Sequence, residues 1–231
     1  MRKVLIFSCL WVLSCGVFGQ QIKKKNVELE DLINLLDASG YELFSFDITD
    51  MLNEQYNIVY IKTEYKAGKE VAASNLNTVP NKRLLTDFSE SSYQQEFIDG
   101  GGRIIDPKIQ AVYHAEKISF GFYPASNDST KFLKINVPNI GSMSVPLKLK
   151  GLVTKNADKL FYSYNTRPFK IKPFKEDEFI PLILFGSSWY DERFDVYRFC
   201  GENEIEPDMS SEILKDVPHY YVVGIKFVKK Q

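Results

Sequence analysis

The sequence is poor in cysteine, histidine and net charge, and each shortage excludes a class of function. Only three cysteines, Cys9, Cys15 and Cys200, occur among 231 residues, which excludes a disulfide framework and a zinc site with several thiolate ligands. Basic residues number 29 and acidic residues 30, so no positive excess is present to neutralise a nucleic-acid backbone. The two histidines, His114 and His219, belong to no zinc motif, and we find no nucleotide fingerprint. We therefore expect no nucleic-acid partner and no cofactor.

The N-terminus has the three-part layout of a secretory signal. A basic start, Arg2-Lys3, precedes the charge-free apolar run Val4–Leu13, and small residues follow as far as Gly19. The run is shorter than the roughly 20 apolar residues that span a bilayer. We predict that residues 1–19 are a signal peptide cleaved before Gln20, and that the protein is exported to the periplasm, the cell surface or the medium.

A second interpretation of the same segment is a lipoprotein signal. The stretch Trp11–Cys15, followed by Gly16, is similar to a bacterial lipobox, although Leu13 stands where a small residue is usual. Acylation of Cys15 would then tether the mature chain to a membrane. No other feature of the sequence predicts contact with a membrane, and both interpretations stay open.

Hydrophobic periodicity predicts a mainly β fold after one N-terminal helix. Apolar residues recur at helical spacing over Val27–Leu36, with Gly40 as the stop. Alternating segments separated by short polar turns follow, and such a pattern is typical of antiparallel sheets. The segment Phe179–Phe185 is apolar at every position and predicts a central strand. We expect one antiparallel β-sandwich-like domain over residues 20–231, with the helix packed against it.

Residues 67–109 give the weakest pattern. Loop-forming residues such as Asn75 and Pro80 interrupt the segment. One further short helix is predicted at 89–98, and the triple glycine Gly100–Gly102 would end this helix. The segment is interpreted as irregular, either an inserted flap or a divide between two subdomains.

The acidic stretch after Cys200 is the most distinctive local feature. Four carboxylates recur at every second residue, namely Glu202, Glu204, Glu206 and Asp208. On an extended chain they would share one face, and oxygen ligands of this kind suit calcium. The calcium-binding loop motif is absent and Pro207 breaks the extended spacing, so a solvated loop is the competing interpretation.

Aromatic residues suggest a binding surface, whereas nothing suggests a catalytic residue. Trp189 and Tyr190 follow the apolar strand, where exposed rings can stack on sugars or anchor a protein partner. Packing in the core is the competing interpretation for both. A nucleophile pair of Cys200 with either histidine has no supporting motif, and the acidic neighbours of this thiol disfavour a thiolate. We assign no catalytic residue and interpret Cys200 as a small, buried apolar residue that ends a strand.

A resemblance to a known family indicates the origin of the protein but no catalytic or binding chemistry. The segments Gly186–Glu192, Arg198–Glu202 and Pro218–Tyr221, together with Val17-Phe18-Gly19 before Gln20, resemble a family of small exported proteins from Bacteroides-type bacteria. That family has no assigned activity. The resemblance implies an exported bacterial protein and transfers no site residue.

These observations favour a non-enzymatic function. We expect a cell-envelope or secreted binding module for a glycan or an envelope protein. One alternative is a carboxylate-dependent hydrolase of saccharides or peptides. Another is a structural part of an envelope assembly.

Overall fold

Two antiparallel sheets form the body of the computed structural model, which describes residues 28–88, 90–153 and 160–230. The predicted signal peptide and Cys15 lie outside the described residues. Three α-helices are described, α1 Leu29–Ala38, α2 Ser91–Asp99 and α3 Ile213–Asp216, with 3-10 turns at Thr49–Asn53 and Leu85–Asp87. In chain order the strands are β1 Glu42–Asp47, β2 Tyr56–Lys66, β3 Lys69–Pro80, β4 Lys82–Leu84, β5 Ala111–His114, β6 Lys117–Pro124, β7 Thr130–Val137, β8 Gly141–Lys148, β9 Leu152–Val153, β10 Leu160–Phe161, β11 Tyr164–Pro168, β12 Ile180–Ser187, β13 Trp189–Asp191, β14 Val196–Arg198 and β15 His219–Lys229.

The two main sheets contain nine of these strands. The four-stranded sheet has the order β1-β6-β7-β8, and the five-stranded sheet has the order β11-β12-β15-β2-β3. The strands of each sheet pair antiparallel throughout. Three two-stranded ribbons, β4-β5, β9-β10 and β13-β14, complete the described strands. The mainly β, antiparallel fold predicted from the sequence is confirmed.

The main core lies between the two sheets, as in a sandwich. Alternate residues of β6, β7 and β15 are buried there, and the spacing of two follows from the pleat of a strand. Aromatic contacts join the layers. The Phe122 and Phe185 ring centroids are 5.0 Å apart, and those of Tyr60 and Phe120 are 6.4 Å apart. The sheets therefore bury their inner faces against each other.

A second core covers the outer face of the five-stranded sheet. Leu184 and Val222 project from β12 and β15 on the side away from the first core, where they meet Ile205, Ile213 and Leu214. Because β12 is covered on both faces, every one of its residues is buried. The apolar run at Phe179–Phe185 therefore predicted the central strand correctly.

The structure departs from the sequence-based expectations at two elements. Residues 69–80 are not irregular, since they form β3, which pairs with β2 along its length. Helix α1 forms as predicted, but its apolar side chains are exposed, so the expected packing against the sheet is not seen. The shorter helix α2 lies close to its predicted place. Within the described part of the chain, no helix is long and apolar enough to cross a membrane.

Candidate binding face

A row of ring side chains crosses the outer face of the four-stranded sheet. Tyr123 of β6 lies opposite Phe132 of β7, and Phe132 lies opposite Pro146 of β8. Tyr41, which directly precedes β1, continues the row with its ring 6.4 Å from that of Tyr123. The Tyr123 and Phe132 rings are 5.3 Å apart, and the planes within the two pairs differ by only 10° and 21°. We call these four residues the ring row.

The ring row faces outward because successive side chains of a strand point to opposite faces of the sheet. Core residues such as Phe122 and Leu133 occupy the alternate positions of the same strands, so their neighbours Tyr123 and Phe132 must project to the opposite face. Both rings are half-buried, and Tyr41 is 44% exposed. The row therefore offers apolar ring surface to solvent on a rigid sheet.

Polar side chains lie beside the ring row on the same face. A second row lies two residues along each strand from the ring row and consists of Gly121, Lys134 and Ser144, which oppose one another on β6, β7 and β8. The Tyr123 hydroxyl donates a hydrogen bond to Ser144 Oγ at 3.0 Å. One further row carries Ser119, Asn136 and Ser142. Hydroxyl, amide and ammonium groups are therefore available next to the rings.

Gly121 creates a shallow depression in this face. A Cβ atom at Gly121 would make ordinary van der Waals contacts with Leu43 Cδ1 at 3.7 Å, the Glu42 carbonyl at 3.8 Å and Lys134 Cβ at 4.0 Å, so the absent side chain leaves room for a methyl group. Leu43, the β1 residue opposite Gly121, is 76% exposed. The face thus combines a raised row of rings with a lower strip beside it.

The structure does not place the sequence-predicted aromatic residues on this face. Trp189 and Tyr190 lie in β13, which pairs only with β14 among the described strands. Trp189 is half-buried and packs on Phe199 with 6.0 Å between ring centroids. Tyr190 packs on Tyr197 at 5.0 Å. Both residues thus pack against other aromatic rings and do not belong to the ring row.

The acidic stretch does not form a cluster. Its residues follow a bent loop rather than an extended strand, and their carboxylates have separate partners. The Glu202 carboxylate accepts hydrogen bonds from its own backbone amide and from the Glu212 and Ile213 amides, and these bonds lower its pKa. Glu206 pairs with Lys170, and Asp208 accepts from Ser210, while Glu204 is exposed. Among the residues that the structure describes, no three His, Cys, Asp or Glu side chains are grouped to hold a metal.

Cys200 is an exposed free thiol, which corrects its interpretation as a buried apolar residue. The residue lies past the end of β14, where the chain turns away from the hairpin. Both histidine rings form hydrogen bonds with residues other than Cys200. His114 contacts Glu116 at 3.1 Å, and His219 contacts Tyr164 and Glu64.

The buried His219 ring belongs to an internal polar network. The Lys150 amide donates to the Tyr164 hydroxyl at 2.8 Å, so this hydroxyl can donate to His219 Nδ1, and His219 Nε2 lies 3.1 Å from Glu64 Oε1. Burial lowers the pKa of His219, opposed in part by Glu64, and burial raises the pKa of Tyr164. In this arrangement the Tyr164 hydroxyl donates to one nitrogen of a neutral His219 ring, and the other ring nitrogen donates to the Glu64 carboxylate, so each of these groups has a hydrogen-bond partner. With His219 only 3% exposed, the network links β2, β11 and β15 and stabilises the five-stranded sheet.

Sequence reasoning missed the ring row because it considered strands one at a time. The sequence did contain one signal. Tyr123 and Phe132 each occupy a strand position whose side chain points away from the core, since core residues alternate with such positions along the strand. Only the pairing of β6 with β7 shows that these two residues are neighbours.

Comparison with known proteins identifies a family. The family model described as "Domain of unknown function (DUF5041)" matches residues 12–229, and the chain belongs to this family. Neither the search of curated proteins nor the search of solved structures found a match.

Proposed function

We propose that this DUF5041 protein is an exported, non-enzymatic binding module that holds a glycan on the outer face of its four-stranded sheet. The observation that carries the proposal is the ring row, in which Tyr41, Tyr123 and Phe132 present nearly parallel rings on adjacent strands. Aromatic rings that remain accessible on a rigid sheet, with polar groups around them, are suited to ligands that have both apolar and polar surface.

A glycan fits this arrangement because a sugar ring has an apolar C–H face and a hydroxyl edge. The C–H face can pack on an aromatic ring, and the hydroxyls can then reach the polar side chains beside the row. The Tyr123 and Phe132 rings are stacked with their centroids 5.3 Å apart, so the two rings together offer one apolar surface on which a sugar unit can pack. Lys134 and Ser144 lie on the same face, two residues along β7 and β8 from Phe132 and Pro146, and provide hydrogen-bond donors.

Export is the second part of the proposal and depends on the N-terminal pattern alone. A signal peptide over residues 1–19 would deliver the domain to the envelope or the medium, where glycans are abundant. In the native host, intact-mass measurement should give a chain that begins at Gln20. A lipid-modified chain that begins at Cys15 would support tethering instead, and a cytoplasmic chain that retains Met1 would refute export.

Affinity gel electrophoresis against a panel of soluble polysaccharides, with sedimentation on peptidoglycan sacculi, tests the binding face. We expect at least one glycan to retard the protein. Tyr123→Ala and Phe132→Ala should each weaken this binding about tenfold, since one ring contact contributes about 0.5–1.5 kcal/mol beyond burial. Phe194→Ala is the matched control, because Phe194 is 64% exposed on the β13–β14 hairpin and lies outside the ring row.

Two outcomes would overturn the proposal. One is the absence of retardation by every glycan tested, and the other is binding that the two ring-row variants leave unchanged. Circular dichroism melting of each variant shows whether the fold is retained. Capture of an envelope protein that depends on Tyr123 and Phe132, without any glycan binding, would replace the glycan with a protein partner.

A further inference from the structure

A depression of about 530 Å³ lies where helix α2 and the chain that follows it meet the β4-β5 ribbon. Its volume is within the roughly 300–1,000 Å³ of small-molecule sites. Two arginines, three ring side chains and one amide are among its lining residues: Arg83, Arg103, Phe88, Phe97, Tyr113 and Asn139. Among the described residues, no aspartate or glutamate lines it. We call this feature the arginine depression, and its lining is both cationic and aromatic.

Arg83 is held in place without a carboxylate partner. It lies directly opposite Tyr113 in the β4-β5 pairing, and its guanidinium stacks on the Phe88 ring at 4.1 Å from the ring centroid. In the part of the chain that the structure describes, the guanidinium groups of Arg83 and Arg103 form no ion pair or hydrogen bond. A stacked guanidinium presents its planar fork of donors in a fixed orientation. The half-buried Arg83 side chain is therefore preorganised for an anion.

The acidic side chain nearest to Arg83 in the sequence is engaged by other donors. Asp87 Oδ1 accepts from the Lys230 ammonium at 2.6 Å, and Asp87 Oδ2 accepts from the Gln55 side chain and the Leu84 amide at 2.8 Å each. A neighbouring depression of about 400 Å³ shares Arg83 and is also lined by Asp87. Because both oxygens of this carboxylate already have donors, the positive charge of Arg83 is left for a ligand.

The glycines after α2 place Arg103 beside the same ring cluster. The Phe88 and Phe97 ring centroids are 5.4 Å apart. A Cβ atom at Gly102 would lie 2.4 Å from Phe97 Cε1, so any side chain at this position would displace the ring. Gly101 has a positive φ of 84°, and the Gly102 amide donates to the Phe97 carbonyl at 2.9 Å. The triple glycine thus turns the chain closely around Phe97, and Arg103 follows at once.

We propose that the arginine depression binds a small organic carboxylate with a flat apolar body. A guanidinium fork matches the two oxygens of a carboxylate in a bidentate pair, and a flat body can pack on the Phe88 and Phe97 rings. Burial raises the pKa of Tyr113, opposed in part by Arg83, so the Tyr113 hydroxyl is protonated and able to donate. A phosphate monoester carries about 1.5–2 negative charges at pH 7, and removing it from water beside aromatic rings costs more than removing a carboxylate.

This site is separate from the ring row. Asn139 borders the arginine depression from the turn after β7, whereas Phe132 of the ring row lies near the start of that strand. At about 3.3 Å per residue, Phe132 and Val137 are on the order of 17 Å apart along β7. The carboxylate site therefore adds a second ligand to the protein and does not depend on the glycan.

Isothermal titration calorimetry of the full chain with 2-naphthoate tests the site. The matched ligand is 2-naphthamide, which has the same flat body without the charge. We expect 2-naphthoate to bind with a dissociation constant below about 1 mM and 2-naphthamide to bind at least about tenfold more weakly. No binding of 2-naphthoate, or equal affinities for the two ligands, would overturn the proposal. Tighter binding of 2-naphthyl phosphate than of 2-naphthoate would overturn the assignment to a carboxylate.

Arginine variants locate the bound carboxylate. Arg83→Gln and Arg103→Gln should each raise the dissociation constant for 2-naphthoate at least about tenfold, because hydrogen bonds between charged groups are stronger than neutral ones. Arg193→Gln is the matched control, since Arg193 also lies over a ring, that of Phe194, but forms an ion pair with Asp191 at 3.2 Å. Wild-type affinity in both depression variants would overturn the proposal. Circular dichroism melting of each variant shows whether the fold is retained.

Two further variants separate this site from the ring row. Gly102→Ala should weaken 2-naphthoate binding, because the added methyl group displaces the Phe97 ring. Phe132→Ala should leave that binding unchanged, and a loss of 2-naphthoate affinity in this variant would place the probe on the ring row and overturn the proposal. These measurements need no glycan, so failure of the carboxylate site and failure of the proposed function are distinguishable.

Discussion

Asn81→Ala should be among the most destabilising polar substitutions in this protein. The side chain of Asn81 is fully buried between β3 and β4 and makes three hydrogen bonds to backbone groups. Its Oδ1 accepts from the Tyr56 amide at 2.9 Å, and its Nδ2 donates to the Met51 and Glu54 carbonyls at 2.7 and 3.0 Å. One amide therefore holds the 3-10 turn of Thr49–Asn53 against the start of β2.

The magnitude follows from the number of bonds. Each buried hydrogen bond contributes about 1 kcal/mol net, and an unsatisfied buried partner can cost more, so Asn81→Ala should lower the free energy of unfolding by about 3 kcal/mol. That is a large fraction of the roughly 5–15 kcal/mol of a typical domain.

Urea denaturation followed by circular dichroism measures this loss. The midpoint should fall while the slope stays constant, because the surface exposed on unfolding is unchanged. Asn77→Ala is the matched control, since the Asn77 side chain is exposed and accepts a hydrogen bond from the adjacent Thr78 amide at 2.8 Å. A loss below about 1 kcal/mol for Asn81→Ala would show that these three hydrogen bonds do not stabilise the fold as argued.

Three further predictions concern other buried positions. The free energy of unfolding should fall as the pH drops below about 6.5, because burial lowers the pKa of His219 and the unfolded chain therefore binds a proton more readily than the folded chain. In urea titrations, His219→Gln should reduce this pH dependence, whereas His114→Gln should preserve it. Gly224→Ala should prevent folding or lower the melting temperature strongly, because its Cβ would lie 2.2 Å from a backbone carbonyl of β12, while Gly121→Ala should melt like wild type. Tyr60→Phe should raise the urea midpoint, since the buried Tyr60 hydroxyl has no hydrogen-bond partner in the described structure; a lowered midpoint would contradict this.

The prediction of strands succeeded where burial on one face imposes a period of two. Ile118, Phe120 and Phe122 alternate along β6, and Tyr221 and Val223 do the same along β15, as their spacing indicated. The uniformly apolar β12 was equally clear because both of its faces are covered. In these strands the side chains themselves report the environment.

The prediction failed at β3 because this strand is stabilised by its backbone. Its side chains are polar and mostly exposed, and its register against β2 comes from ladder hydrogen bonds at the edge of the sheet. Backbone bonds leave no pattern in the sequence. Similarly, Trp189 was predicted to be an exposed aromatic anchor from its place after the apolar strand, but Phe199 packs against it in the folded chain.

The side of each strand that faces the core follows from local sequence, because alternation is a local property of the chain. The identity of neighbouring strands follows from the folded chain, since pairing depends on contacts between distant residues. The ring row shows the difference. Tyr41 and Tyr123 are more than 80 residues apart in the sequence, and only the pairing of β1 with β6 brings their rings within 6.4 Å. The exposure of α1 could likewise not be predicted from local sequence. An apolar stripe indicates that a helix needs a partner but does not indicate which surface provides it.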